Sequence, residues 1–231
     1  MYRLYGMSSP NVLKVVIALE ELGQPYDFRR VGVVAGEQHE GWFRALNPNG
    51  KVPVLVEPRA DGDFALFESG AILLWLAERH GAFGGSDADA RVRVQQWLMF
   101  QMAGVGPNFG QAIHFSFATR DAPYAQARFT IEMRRLLDVV ERRLGEAPFL
   151  AGDYSVADMA LWPWIRTIRR FFPGDSAGEA LNRWFDSIEG RPAVNTALER
   201  MTSLEAEDRA AMKSASAEQL DRYFGRRESP N

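Results

Sequence analysis

The 231-residue sequence contains no cysteine. That absence removes disulfides, thiolate metal ligands, cysteine nucleophiles and the C-x-x-C redox pair together. Any sulfur redox chemistry would have to use sulfur carried in by a ligand. Histidine is almost as scarce: His39, His80 and His114 are the only imidazoles, and none stands three or four residues from another, the spacing of a helical metal site. No metal is expected. An excess of positive charge is lacking too, with 27 Lys and Arg against 30 Asp and Glu for a formal net charge of −3. This leaves no general attraction to nucleic acid or anionic membranes. No apolar run approaches the roughly 20 residues that span a bilayer. The start, Met1-Tyr2-Arg3-Leu4-Tyr5, alternates like a strand and does not read as a basic, hydrophobic leader. The expected compartment is the cytoplasm.

What the chain does have is hydrophobic content, 46% of its residues, enough for a sizeable core and for two domains. Residues 2–6 read as a strand. Ser9-Pro10-Asn11 then opens a helix, with Ser9 as N-cap, Pro10 at the first helical position and an apolar stripe of Val12, Val15, Val16, Leu19 and Leu22. Tyr26 to Val34 has strand composition, followed by a polar, glycine-bearing segment from Ala35 to Gly41. Val52 to Val56, a turn at Asp61-Gly62-Asp63, and Phe64 to Phe67 read as an antiparallel hairpin, after which Ser69 caps an apolar helix to about His80. This order predicts a small mixed sheet with helices on its faces over residues 1–81.

Residues 82–89, rich in glycine, read as a linker. Beyond them strand signals stop, and residues 90–203 are expected to be all-helical, including a long segment from Ala90 to Phe117. Ser155-Val156-Ala157-Asp158 has capping-box spacing and precedes a segment that is apolar all round, interrupted by Pro163. Residues 204–231 read as a surface helix and frayed tail.

Three features of the first domain can carry chemistry. The helix N-terminus at Ser9-Pro10-Asn11 offers free N–H groups, a hydroxyl and a carboxamide to a thiolate. Val52-Pro53, entering a strand whose edge is expected to be unpaired, can present backbone groups to an extended peptide, above all if the bond is cis. At Glu68-Ser69 a strand runs into a helix N-terminus, where Ser69 can hold a carboxylate and Glu68 an ammonium, the two ends of an amino-acid head group. Taken singly, Ser9 and Ser69 are also ordinary caps and Val52-Pro53 an ordinary strand entry.

Together, Ser9-Pro10-Asn11, Asn47-Pro48-Asn49-Gly50-Lys51-Val52-Pro53, Phe67-Glu68-Ser69-Gly70-Ala71-Ile72 and Tyr154 to Asp158 resemble the cytosolic glutathione transferases over about residues 1–200. Gly106-Pro107, Gly110-Gln111, His114-Phe115, Pro123-Tyr124-Ala125 and Trp162-Pro163-Trp164 are similar to the Nu-class branch of bacterial glutathione-dependent disulfide-bond oxidoreductases. The resemblance implies a thioredoxin-like βαβ-α-ββα domain with a mixed sheet, followed by an all-α domain, in a homodimer. It implies that Asn11 faces the glutathione sulfur, with Ser9 at a hydroxyl position that is commonly threonine. It further implies that Gln38 and Lys51 contact the glycyl end, that Val52, before a cis Pro53, pairs with the cysteinyl backbone, and that Glu68 and Ser69 bind the γ-glutamyl end.

Arg128 matches an arginine that contacts a second glutathione or the far half of glutathione disulfide. Tyr5 stands close to the catalytic tyrosine position of other classes, but its strand setting suits a core or interface role. His114 and Gln111 would line the helical domain's side of the pocket, His114 as a structural histidine. The implied activity is disulfide reduction with glutathione as co-substrate and no metal. Conjugation of an electrophile, in a pocket with aromatics such as Trp164 and Phe115, is the alternative, and a non-catalytic glutathione-binding scaffold is a second.

Overall fold

The alternating start of the chain becomes β1 (Tyr2–Gly6), with Tyr2, Leu4 and Gly6 buried and the residues between them half-buried. In a computed structural model, which describes residues 1–118, 121–175 and 178–227, the chain divides into two units. One holds Met1–Ile72 together with the chain from Pro192 onward; the other holds Leu73–Arg191.

In the first unit β1 is followed by α1 (Pro10–Glu21), β2 (Tyr26–Arg30), a short α2 (Gly41–Leu46), β3 (Val54–Glu57), β4 (Phe64–Phe67) and the start of α3 (Ser69–His80). The sheet order is β2-β1-β3-β4, with β1 parallel to β2 and antiparallel to β3, and β4 antiparallel to β3. This is the mixed sheet and βαβ-α-ββα order implied by the sequence. α1 begins where expected: Ser9 is extended, its Oγ accepts the Val12 N–H at 3.3 Å, and Pro10 takes a first-turn position. Gly6 lets α1 start so close to β1, because a Cβ there would lie 2.7 Å from a Val12 methyl. On one face of the sheet Val31, Phe43, Val54 and Val56 form a core to which Tyr5 and Val52 add their half-buried side chains.

Two expectations are corrected here. β2 stops at Arg30, four residues early, because Val33–Ala35 and Glu37–His39 turn as short 3-10 segments. Gly36, at φ +95, joins those segments, and the Glu37 carboxylate accepts the Gly32 N–H at 2.6 Å. The strand entered by Val52-Pro53 has no free edge, since β3 pairs with β1 on one side and β4 on the other. Val52 lies outside the ladder, which begins at Val54.

The second unit contains α4 (Ala88–Met99), α5 (Gly106–Ile113), α6 (Pro123–Glu146), α7 (Val156–Phe171) and α8 (Glu179–Glu189). The long segment from Ala90 to Phe117, expected to be helical, contains π-helical turns at Phe100–Val105 and His114–Ala118, on either side of α5. At the start of α7, Ser155 and Asp158 form the expected capping box, and the helix runs through Pro163. Asp158 is fully buried. Its carboxylate accepts from the N–H groups of Leu150 and Ser155, the Ser155 hydroxyl and the Trp184 indole at 2.8–3.1 Å. Burial still pushes its pKa up to about 6 against these bonds. The Trp162 indole stacks on Phe185 and donates to that residue's carbonyl at 3.1 Å.

The C-terminal segment departs from a surface helix that starts near residue 204. α9 (Pro192–Ser214) is continuous across that position and packs on α1, with Val194, Ala197, Met201, Leu204 and Asp208 buried at three- and four-residue spacing. Arg200 pairs with Glu20 at 2.7 Å, and Glu20 also accepts the Tyr26 hydroxyl at 2.7 Å. α10 (Ala217–Tyr223) then lies against the 33–35 turn. The last four residues of the expected tail, 228–231, lie outside the described residues.

Candidate functional site

Pairing registers bring the first-unit candidates to one end of the sheet. Tyr5 in β1 lies opposite Val54 at the start of β3, and Val54 lies opposite Phe67 at the end of β4. Gly6, the last residue of β1, lies opposite Arg30, the last residue of β2. The segments that leave or enter the sheet there carry Ser9 and Asn11 after β1, Gln38 after β2, Lys51 and Val52 before β3, and Glu68 and Ser69 after β4. This is the carboxyl end of the parallel pair, where open α/β sheets bind ligands.

At the N-terminus of α1 the Ser9 hydroxyl accepts one bond from Val12, which leaves its proton to donate to a ligand. Asn11, half-buried, sits in the same first turn, beside N–H groups that a helix leaves without intrahelical acceptors. Gln38 is 9% exposed, and among the described residues its Oε1 has no hydrogen-bond partner. Its amide nitrogen lies 3.1 Å from His39 Nε2. A donor on a ligand would satisfy that oxygen.

The turn Asn47 to Gly50 is built by its own side chains. Asn47, buried, accepts the Asn49 N–H at 2.9 Å and donates to the Lys51 carbonyl at 2.6 Å, while Gly50 adopts φ +62. Lys51 is thereby presented with its side chain exposed, and the Val52-Pro53 bond is cis, as the resemblance implied.

Ser69 corrects one detail. It is the first residue of α3 and not its cap; the Glu68 carbonyl accepts the first helical bond, from Ile72, at 2.9 Å. Glu68 has φ +69, a left-handed conformation that costs a non-glycine residue energy and recurs at ligand sites. The Ser69 hydroxyl is buried and instead receives the Lys14 ammonium at 3.3 Å. Lys14 is itself 1% exposed; burial pushes its pKa down to about 7, with Glu68 pulling it part of the way back. An exposed carboxylate beside a helix N-terminus backed by a buried amine can take both ends of a zwitterion.

Sequence reasoning missed Lys14, although one lysine among Val12, Leu13 and the apolar run Val15 to Leu19 was a visible signal. It also missed α10, whose Arg222 and Tyr223 line a cavity of about 150 Å³ with Val33, Gly36, Gln38 and His39.

In the second unit Arg128 is exposed near the start of α6. It lines a cavity of about 550 Å³ with Asn108, Tyr124, Phe129, Ile131 and Glu132. Arg135 first, and Arg128 less strongly, hold the Glu132 carboxyl below its usual range. Gln111 is exposed, and His114 is half-buried with its ring edge-on to Phe115. Phe115 stacks on Phe129, centroids 5.5 Å apart. Trp164 is buried, its ring against the positions where Gly106 and Gly110 lack side chains, so it is core, not the wall of an open pocket. Tyr5 belongs to the sheet core and packs on Trp42.

The sheet domain, the helices and this arrangement at the sheet end define a glutathione S-transferase. The N-terminal domain model of that family matches residues 4–85 and the C-terminal domain model residues 123–187. The chain belongs to this family. It is 39% identical over 203 residues to disulfide-bond oxidoreductase YfcG of Escherichia coli, covering 86% of this chain and 94% of that protein. It is 38% identical over 208 residues to disulfide-bond oxidoreductase YghU of the same organism, covering 83% and 72%. Among solved structures, a glutathione transferase family member from Pseudomonas fluorescens with two glutathione bound matches with a TM-score of 0.81 at 36% identity, covering 86% of this chain and 92% of that one. A glutathione transferase from Pseudomonas putida with one glutathione disulfide bound per subunit matches at 0.79 and 36%, covering 85% and 90%. Among the described residues no helix is long and apolar enough to cross a membrane, and no group of three or more His, Asp or Glu could hold a metal ion.

Proposed function

We propose that the protein reduces disulfides with glutathione. The carrying observation is that the segments bearing Ser9, Asn11, Val52, Glu68 and Ser69 leave or enter the sheet at one end, in a chain with no thiol of its own. In this reading Glu68 pairs with the γ-glutamyl ammonium, Ser69 and the N-terminus of α3 hold its carboxylate, Val52 pairs with the cysteinyl backbone, and Gln38 and Lys51 receive the glycyl end. Ser9 and Asn11 then donate to the sulfur. The names of the two Escherichia coli relatives and the ligands in the two Pseudomonas structures support it.

The task of Ser9 and Asn11 follows from thiol chemistry. Thiolate is the nucleophile, and an unperturbed thiol titrates near ~8.5; lowering that by about two units takes roughly 2.7 kcal/mol. One or two charge-assisted hydrogen bonds plus the helix end are of that size. The thiolate attacks a disulfide, one S–S bond forms as another breaks, and the departing thiolate takes up a proton. A second glutathione, assigned to Arg128, resolves the mixed disulfide. Two glutathione thiols are oxidised to one glutathione disulfide while the substrate gains two thiols, so the exchange balances without another reductant.

The test compares turnover of a small disulfide with that of an aryl halide, alongside calorimetry with glutathione. Turnover of the disulfide that drops in Asn11→Ala while glutathione still binds supports the proposal. Turnover of the aryl halide alone makes the protein a conjugating enzyme, and tight binding without either turnover makes it a scaffold; each overturns the reading. We further infer a cytoplasmic homodimer, against which a 26.0 kDa species in sedimentation at micromolar concentration would count.

A further inference from the structure

A carboxylate near the far end of the chain is built into the loop that leads to α1. Asp208 of α9 is 7% exposed, and α9 begins beyond residue 187, where the family's C-terminal domain model ends. Asp208 Oδ2 accepts the backbone N–H of Ser8 at 2.6 Å. Its Oδ1 accepts Nε of Arg30 at 2.8 Å and Nη2 of Arg30 at 2.7 Å. Ser8 is the residue before the α1 cap, and Arg30 ends β2 opposite the last residue of β1. One side chain therefore fastens the β1–α1 loop to the neighbouring strand across 200 residues of sequence.

Such a contact is costly unless its geometry is good, because burying a carboxylate loses its hydration. Here three donated bonds replace that hydration. Arg30 also faces Glu207, with Nε 3.6 Å from its carboxylate, and Tyr223 of α10 is close enough for Asp208 to raise its phenol pKa, after burial as the larger cause. The Arg30 guanidinium offsets the Asp208 charge, so the effect at the start of α1 is directional more than electrostatic. The Ser8 N–H lies in the Met7–Ser8 peptide plane, so fixing that bond fixes the plane from which the chain enters Ser9, Pro10 and Asn11. Small errors in placing groups around a reacting atom are expensive, since a shift of about 1 Å can cost a hundredfold in rate.

We propose that Asp208 is a positioning residue for the sulfur-binding turn: through the Ser8 N–H it sets the direction from which Ser9 and Asn11 meet the glutathione sulfur. The proposal rests on the reading above that those two residues hold the thiolate. It makes the return of α9 to the sheet unit part of the chemistry as well as of the core.

Three substitutions in the full-length chain separate geometry from folding, with Asn11→Ala measured beside them. Asp208→Asn keeps an acceptor for Ser8 and weakens the Arg30 pair. Asp208→Glu keeps the pair and moves the acceptor by one methylene. Asp208→Ala removes both. The readouts are thermal unfolding, kcat and glutathione KM for a small disulfide, and the pH dependence of thiolate absorbance from bound glutathione. Asp208→Asn should lose stability and keep kcat and the thiol pKa. Asp208→Glu, and Asp208→Ala where it folds, should lose about tenfold in kcat, with a raised thiol pKa and a KM within about twofold of the parent. An Asp208→Glu protein with the parent's kcat and thiol pKa overturns the proposal, as does an Asp208→Asn protein as impaired in kcat as the Glu variant. If Asn11→Ala also leaves the thiol pKa unchanged, the reading of the sulfur site itself falls; if Asn11→Ala shifts it and Asp208→Glu does not, only the role of Asp208 falls.

Discussion

Lys14 and Ser69 meet behind the end of the sheet, the lysine ammonium donating to the serine hydroxyl at 3.3 Å with both side chains buried. A hydroxyl that accepts one bond keeps a proton to donate, and an anion at the start of α3 is a suitable acceptor for it. A charged amine held this way costs stability, because burial pushes the Lys14 pKa from 10.5 down to about 7. Between those values the unfolded chain binds a proton that the folded chain releases, so this residue makes stability rise with pH across that window; below it both forms are charged and the full burial cost remains. Lys14→Met should remove that slope. Urea unfolding from about pH 7 to about pH 10 measures it, and equal slopes in the two proteins would show that Lys14 is not desolvated as described.

The same substitution should weaken glutathione. Without the ammonium behind it, Ser69 is free to turn away from the γ-glutamyl carboxylate, and a loss of about tenfold or more in affinity is the size of one hydrogen bond to a charged group. Calorimetry of the variant checks this. Unchanged affinity would separate Lys14 from ligand binding.

Asp158 should be the least replaceable residue of the helical unit. Asp158→Ala leaves four buried donors without an acceptor and should cost about 3 kcal/mol or more, lowering the urea midpoint. Asp158→Asn, which keeps one oxygen, should cost less. A loss under about 1 kcal/mol in the alanine variant would mean that water or other groups replace the carboxylate.

Incubation with glutathione disulfide should add no mass to the protein. With no cysteine there is no sulfur to form a mixed disulfide, and both sulfur reactants must be held without covalent attachment. Intact-mass spectrometry checks this, and a glutathionylated chain would contradict the mechanism.

Arg128→Ala should leave thermal unfolding unchanged, since the side chain is exposed. It should raise the glutathione concentration needed for disulfide turnover while leaving the first binding event seen by calorimetry unaffected. Parent-like turnover at every glutathione concentration would remove Arg128 from the second-glutathione role.

Much of this architecture was written locally. Ser9 before Pro10, the Ser155–Asp158 box and the turn between β3 and β4 each act within a few residues, and periodicity or cap chemistry exposes them in a single sequence. The sheet end was legible for the same reason, because candidate residues stood where strands stopped. What escaped was nonlocal. Nothing around Asp208 distinguishes it from the other acids of an Ala-, Glu- and Arg-rich helix until Ser8 and Arg30 arrive from the opposite end of the chain. Lys14 escaped because Val12, Leu13 and Val15 to Leu19 around it make the helix apolar with or without it, and the π-helical turns because a one-residue insertion barely disturbs a helical period.

The chain begins and ends in one unit, with the other inserted between. A ribosome therefore releases β1 to β4 and α1 well before the helix that covers α1. At usual elongation rates the 120 residues from Leu73 to Pro192 take roughly ten seconds to make. The helical unit can close its core once Arg191 has emerged, whereas the sheet unit waits longer, for Val194, Ala197, Met201 and Leu204. Order of synthesis and order of completion run opposite ways: of the two units, the one begun earlier is the one sealed later.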